Sequence, residues 1–274
     1  MKPSGLSATS RDQLSRLLRN SPSVLTAGDA ASALGMTHTD AARRLAAWSR
    51  AGWLARVRRG SYVPVPIEAA SADIVLEDPW SVATAMFSPC YIGGWSAAEH
   101  WGLTEQIFGS LCVMTTKRPR NRKPVLRKAR FELHTVPDAS LIGLATVWRG
   151  GTRVQVSDAA RTVIDMLADP ALAGGIRHLV EVLGSLLHDH PKEVAKLGVY
   201  ASKLGIGSVF KRLGFLLNRD HLNQVALIEQ CRQNLSAGYA KLDPALPADQ
   251  LATAWRVWVP ATEAREVQRR FGTP

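Results

Sequence analysis

Residues 10–65 constrain the fold most, because their pattern predicts three short helices followed by a hairpin. The first helix, with Ser10 as its cap, carries apolar residues at the spacing of one buried face: Leu14, Leu17 and Leu18. A second helix over residues 27–34 begins after the cap residue Thr26 and ends at Gly35, which suits the left-handed conformation past a helix end.

The third helix is predicted to carry basic residues opposite its apolar face. Thr39 is the predicted cap of a helix over residues 40–51, which Gly52 closes. Its buried face consists of Ala41, Leu45 and Trp48. Its outer face consists of Arg43, Ala47 and Arg50. Two short helices joined at a glycine turn, with arginine on the outer face of the second, indicate a helix-turn-helix that enters the DNA major groove.

A basic hairpin follows directly. Residues 53–58 alternate as a strand, Arg59-Gly60 forms the turn, and residues 61–65 return. The tip is predicted to be cationic through Arg56, Arg58 and Arg59. The sequence has no acidic residue between Asp40 and Glu68. The whole region is therefore predicted to be a winged helix-turn-helix. The alternative is a protein-interaction module whose exposed arginines are merely solvated.

Base contacts are expected from the third helix and its approach. The candidates are Thr37, His38, Thr39, Arg43, Arg44 and Arg50. Arg43 is the first choice, because it lies in the first turn of the predicted helix and faces away from Leu45, and arginine can offer two donors to guanine. Arg44 has an alternative role as the ion-pair partner of Asp40, four residues earlier.

Composition indicates a globular protein with a polyanionic partner. The chain has 274 residues, 46% of them hydrophobic and 21% charged, and a net charge of +11. Its three cysteines are far apart in sequence, which suits a reducing compartment and argues against a cysteine-based zinc site. No apolar run approaches the roughly 20 residues needed to span a bilayer, and residues 1–9 lack the hydrophobic core of an export signal. We therefore expect a cytoplasmic, nucleoid-associated protein without a membrane partner.

The fold class is predicted to be α+β (mixed α/β), with two domains. Residues 1–70 form the winged helix-turn-helix, and residues 71–274 form a mixed α/β domain that ends in a helical bundle. Within the second domain, buried strands are predicted over residues 111–115 and 131–136 and a hairpin over residues 145–156. From Ser157 onward the apolar spacing becomes helical, and Ser157 is the predicted cap of the first of these helices.

A strongly basic segment separates the two buried strands. Residues 117–130 contain eight Lys or Arg and no acid, together with two prolines that prevent a continuous helix. We expect a mobile loop whose phosphate contacts come from Lys117, Arg118, Arg120, Arg122 and Lys123. The alternatives are contact with RNA, or a solvated loop that only keeps the protein soluble.

The sequence predicts neither an enzyme nor a metal site, and no cofactor. His188-Asp189-His190 has no third ligand at a defined spacing. Asp158, Arg161 and Asp165 have the spacing of a surface ion-pair ladder, with a structural clamp as the favoured role. The acids are too scattered for a divalent-ion nuclease, and neither a phosphate-binding glycine loop nor a nucleophile elbow is present.

The order of these pieces resembles the AbiEi family of antitoxins and transcriptional regulators of bacterial type IV toxin–antitoxin systems. The similar stretches are Arg58-Arg59-Gly60-Ser61-Tyr62, Ser96-Ala97-Ala98-Glu99, Ala160-Arg161-Thr162-Val163-Ile164-Asp165, Gly174-Gly175 and Lys211-Arg212-Leu213-Gly214-Phe215-Leu216-Leu217. Gly93-Gly94 and the basic segment depart from the family's pattern.

The resemblance implies a repressor that binds double-stranded DNA at inverted repeats in its own promoter. It also implies an antitoxin that counteracts a nucleotidyltransferase toxin without an obligatory tight complex, mainly through the C-terminal domain. The alternative function is a protein-interaction module that binds an acidic partner, or the toxin directly, through its basic surface.

Overall fold

The computed structural model describes residues 5–20, 24–65, 78–149 and 151–261. The chain divides into two compact units, each assembled from separate stretches. The first unit comprises residues 1–92, 109–136 and 146–155, and the second comprises residues 93–108, 137–145 and 156–274. The predicted domain boundary at residue 70 lies outside the described residues, and the two-domain division at that point stays a prediction.

The N-terminal part of the first unit has the order of elements that the sequence predicts. These elements are α1 (Ala8–Asn20), β1 (Leu25–Thr26), α2 (Ala27–Leu34), α3 (His38–Arg50), β2 (Leu54–Arg58) and β3 (Ser61–Pro64). The strands form an antiparallel sheet in the order β1-β3-β2, so β2 is an outer strand. Three helices with a terminal hairpin confirm the predicted winged-helix arrangement.

Local signals determine where these helices begin and end. The Thr26 hydroxyl accepts from the amide of Asp29, and the Asp29 carboxylate accepts from the Thr26 amide at 2.8 Å, which completes a capping box. Gly35 closes α2 in the left-handed conformation at φ 65°. The core beneath them includes Leu17, Leu25, Ala30, Leu45, Trp48 and Leu54.

Two predicted helix boundaries are wrong. The N-cap of α3 is Thr37 instead of Thr39, and its side chain accepts from the amide of Asp40 at 3.2 Å. Ser10 lies inside α1, where its hydroxyl accepts from the Trp48 indole at 2.8 Å. Leu18 is 38% exposed and therefore contributes little to the apolar face of α1.

The remainder of the first unit is built around a six-stranded sheet in the order β6-β7-β5-β4-β9-β8. Its elements are α4 (Pro79–Phe87), β4 (Cys90–Ile92), β5 (Leu111–Thr115), β6 (Val125–Leu126), β7 (Ala129–Thr135), β8 (Leu144–Arg149) and β9 (Thr152–Ser157). β5 pairs in parallel with β7, whereas β4–β5 and β6–β7 are antiparallel. The predicted strands are confirmed, but β4 and β6 were not predicted.

The second unit is mainly helical. It contains α5 (Gly94–His100), α6 (Ala159–Ala168), α7 (Ile176–Asp189), α8 (Pro191–Leu204), α9 (Gly207–Asp220), α10 (Val225–Gln233), β10 (Ala240–Lys241), β11 (Gln250–Ala252) and β12 (Val257–Val259). The small sheet has the order β10-β12-β11. The N-cap of α6 is Asp158, not the predicted Ser157, and the Asp158 carboxylate accepts from the Arg161 amide at 2.8 Å.

Two buried arginines connect the elements of the second unit. Arg161, 1% exposed, donates to Asp165 at 2.9 Å and to the carbonyls of Ser140 and Ile142. Arg212 donates to the carbonyls of Leu167 and Ala168 at the end of α6. The predicted structural clamp of Arg161 and Asp165 is therefore confirmed, but the pair is buried, so its expected location at the surface is wrong.

The start of α3 yields a test of the corrected cap. Thr37→Ala is expected to lower the free energy of unfolding by about 1 kcal/mol, because the amide of Asp40 loses its acceptor. Thr39→Ala is expected to leave it unchanged or raise it slightly, since Thr39 lies inside α3 and alanine favours helix. Urea denaturation of the two variants measures the difference, and the reverse ranking would restore Thr39 as the cap.

The packing of α9 yields a second test. A Cβ atom at Gly214 would overlap the ring of Trp255. Gly214→Ala is therefore expected to lower the free energy of unfolding by about 1–3 kcal/mol. The matched control is Gly184→Ala in α7, where the added Cβ meets nothing within 4 Å. It is expected to raise the free energy by about 0.5–1 kcal/mol. Destabilisation of similar size in both variants would contradict the close approach of Trp255 to α9.

Candidate nucleic-acid interface

The outer face of α3 presents arginine to solvent. Ala41, Leu45 and Trp48 are buried on the inner face, as the spacing predicts. Arg43 and Arg50 are exposed on the outer face, and Arg44 is partly exposed. The packing of α3 thus leaves guanidinium groups on the face that a DNA groove would receive.

An ion pair at the start of α3 involves Arg43. The Arg43 guanidinium lies 3.4 Å from the Asp40 carboxylate, so the predicted partner of Asp40, Arg44, is replaced by Arg43. The two side chains are 76% and 54% exposed, and an exposed pair of this kind contributes at most about 1 kcal/mol. Arg43 can therefore leave Asp40 for a better acceptor at low cost.

The residues at the start of α3 are exposed, and one of them caps the helix. Thr37, His38 and Thr39 are all exposed. The Thr37 hydroxyl is engaged with Asp40, since it donates to the carboxylate at 2.7 Å. His38 and Thr39 occupy the first helical positions, where unpaired backbone amides favour an anion such as phosphate.

The hairpin of β2 and β3, which we call the wing, is cationic at its tip. Arg56, Arg58 and Arg59 are exposed, and Gly60 turns the chain at φ 79°. The register shifts between Arg56 and Arg58, so Val57 forms a bulge in β2. The three arginines predicted at the wing tip are thus brought together on one short hairpin.

Residues 117–130, which we call the basic segment, are more ordered than predicted. Five side chains are exposed, as expected: Lys117, Arg118, Arg120, Arg122 and Lys123. The backbone is held against β7, because the Arg122 carbonyl accepts from the Leu133 amide at 2.7 Å. The segment then forms β6 and the start of β7, so the prediction of a mobile loop is wrong for its second half.

The charges of the basic segment differ in their surroundings. Lys123 forms an ion pair with Glu132 at 3.0 Å, which neutralises part of its charge. The Arg127 Nε donates to the carbonyl of Arg56 in the wing at 2.9 Å. Arg127 was not among the predicted contact residues, because no local pattern connects residues 71 positions apart.

Three side chains of types that often act in catalysis, Cys90, Cys231 and His178, are buried. Burial raises the pKa of the Cys90 thiol to about 11 and that of Cys231 to about 12, so both are protonated at neutral pH. The imidazole of His178 lies 2.6 Å from both the Ala173 carbonyl and the Thr104 hydroxyl. Within the described ranges, no group of three His, Cys, Asp or Glu side chains is placed to hold a metal ion.

None of the described helices is long and apolar enough to cross a membrane. A search of curated proteins gives no match to this chain. Residues 12–65 match the family described as "Transcriptional regulator, AbiEi antitoxin". This stretch runs from α1 to the end of the wing. Residues 12–65 are thus similar to the AbiEi family of antitoxin transcriptional regulators, as the sequence resemblance predicted.

Proposed function

We propose that this protein is a sequence-specific DNA-binding repressor of its own operon and the antitoxin of a type IV toxin–antitoxin system. One observation carries the DNA-binding part. The buried face of α3 turns Arg43 and Arg50 outward, and the exposed arginines of the wing follow on the next element. No carboxylate lies between Asp40 and the end of the wing.

The proposed binding mode assigns different tasks to helix and wing. α3 enters the major groove, and Arg43 leaves Asp40 to offer two donors to guanine O6 and N7, a contact worth about 1–3 kcal/mol of discrimination. Arg56, Arg58 and Arg59 bind phosphates, which fixes the position of the protein without reading sequence. Inverted repeats in the promoter would bind two copies of the winged helix.

The antitoxin part rests on the family match of residues 12–65. We propose that the toxin is a nucleotidyltransferase. The residues that protect the cell from it lie mainly in the C-terminal part of the chain. The proposal requires no tight complex between the two proteins. In this scheme the winged helix controls the amount of antitoxin, and the C-terminal part counteracts the toxin.

The division of labour between α3 and the wing can be tested by substitution. Arg43→Ala is expected to weaken binding to the promoter and to reduce its preference over random DNA by about 1–3 kcal/mol. Arg58→Ala and Arg59→Ala are expected to weaken binding to all DNA and to lower the slope of log K against log salt by about 1 each. Salt titrations with the DNA upstream of the gene and with random competitor measure both quantities.

Arg177→Ala serves as the control, since Arg177 is an exposed arginine on α7 in the second unit. It is expected to bind both DNAs as the wild type does. Equal losses on promoter and random DNA for Arg43→Ala would overturn the groove assignment. A wild-type protein without any promoter preference would overturn the repressor proposal, because specific regulators usually prefer their site by about 10³-fold or more.

The two proposed activities should separate genetically. The double variant Arg58→Ala/Arg59→Ala is expected to lose promoter repression and to retain protection of cells that express the neighbouring toxin gene. The reason is that protection is assigned to residues outside the wing. A promoter fusion measures repression, and growth with protein levels matched by immunoblot measures protection. Loss of protection at matched levels would contradict this assignment.

A further inference from the structure

The two-residue turn between β6 and β7 has an unusual composition for its backbone. Leu126 pairs with Ala129, so Arg127 and Lys128 are the only residues of the turn. Their φ angles are 46° and 67°. Two positive φ values in a two-residue hairpin are normally supplied by Asn-Gly, because a Cβ atom with a long side chain disfavours them. Two long cationic side chains thus occupy positions that a lower-energy pair could fill.

The same turn is attached to the wing. Arg127 donates from Nε to the carbonyl of Arg56 at 2.9 Å. That carbonyl belongs to β2, the outer strand of the wing sheet. Lys128 and Arg130 are exposed, as are the arginines of the wing tip. The hydrogen bond from Arg127 therefore holds the cationic β6–β7 turn next to the cationic wing.

The charge of the surface formed by the wing and the Arg127-Lys128 turn indicates which kind of partner it binds. The basic segment contains no acid, and the wing contains none either. Lys123, which precedes the turn, lies 3.0 Å from Glu132 of β7, so part of its charge is neutralised. A predominantly cationic surface that spans two adjacent hairpins suits a chain of phosphates more than a protein with mixed charge. Strained backbone at such a surface is a recognised mark of a functional position.

We propose that the Arg127-Lys128 turn is a second DNA-backbone contact beside the wing, in which Arg127 positions the turn and Lys128 binds phosphate. This inference rests on the proposed DNA-binding function and extends it to a part of the chain outside residues 12–65. The contact carries no sequence information, so it should strengthen binding to promoter and random DNA alike. It lengthens the stretch of DNA backbone that one protein molecule covers.

The test replaces the turn by one that suits the backbone better. In the full-length double variant Arg127→Asn/Lys128→Gly, the Asn-Gly pair favours the same turn, so the hairpin should form at least as readily as in the wild type. A melting temperature at or above that of the wild type checks this. The charge-matched control is Lys192→Gln/Lys203→Gln, which removes two exposed lysines from α8 in the second unit.

Binding is measured by salt titration on the duplex upstream of the gene and on a random duplex of equal length. The double variant is expected to lower the slope of log K against log salt by about 1 on both duplexes, since one phosphate contact is lost. Hydroxyl-radical footprinting should show loss of protection beside the wing footprint and unchanged protection in the major groove region. The control should keep the wild-type slope and footprint.

Each alternative result has a distinct meaning. If the wild type binds the promoter and the double variant retains its slope and its footprint, the turn is not a DNA contact and the inference fails while the proposed function stands. An equal change in the α8 control would also overturn it, because net charge alone would then explain the effect. If the wild type binds neither duplex, the proposed function fails, and the inference fails with it.

Discussion

The packing of α3 against the core of the winged helix is the interaction on which the candidate interface depends. Trp48, Leu45 and Ala41 fill one side of the helix, and the Trp48 indole is further held by Ser10 of α1. Burial of Trp48 and of Leu45 contributes roughly 1.5–3 kcal/mol each to the free energy of unfolding. This apolar contact fixes the rotation of α3 about its axis, and the rotation decides which arginines face outward.

In the second unit, buried cations add polar contacts to an apolar core. Arg212 and Lys211 donate to backbone carbonyls, Lys211 to those of Ala237 and Gly238. Burial lowers the pKa of both groups, which is the electrostatic cost of placing them there. Carbonyls near helix ends attract cations, so these side chains connect α9 to the end of α6 and to residues 237–241. The stretch Lys211–Leu217, one of those that resemble the AbiEi family, thus contributes to the internal framework of this unit.

The sequence predicted elements correctly where a few neighbouring residues determine them, and it did not predict contacts between distant residues. Thr26 with Asp29, and Gly35, determine α2 by themselves, and α2 was predicted correctly. The start of α3 offered two threonines, and the capping-box spacing of Thr37 to Asp40 could have decided between them. The β6–β7 hairpin was missed because its turn contains no glycine or asparagine. The bond from Arg127 to the wing joins distant residues, so no pattern in the sequence could indicate it.

The division of the chain into interleaved stretches bears on how such a protein can be altered by recombination. The first unit is completed only by residues 109–136 and 146–155, which follow a stretch of the second unit in the chain. A single crossover within residues 66–77 would exchange the winged helix and leave its neighbouring Arg127-Lys128 turn behind. A chimaera of that kind inherits α3 and the wing from one parent and the hairpin that contacts the wing from the other. The two hairpins therefore have to remain compatible although 60 residues, 65–124, separate them in the chain.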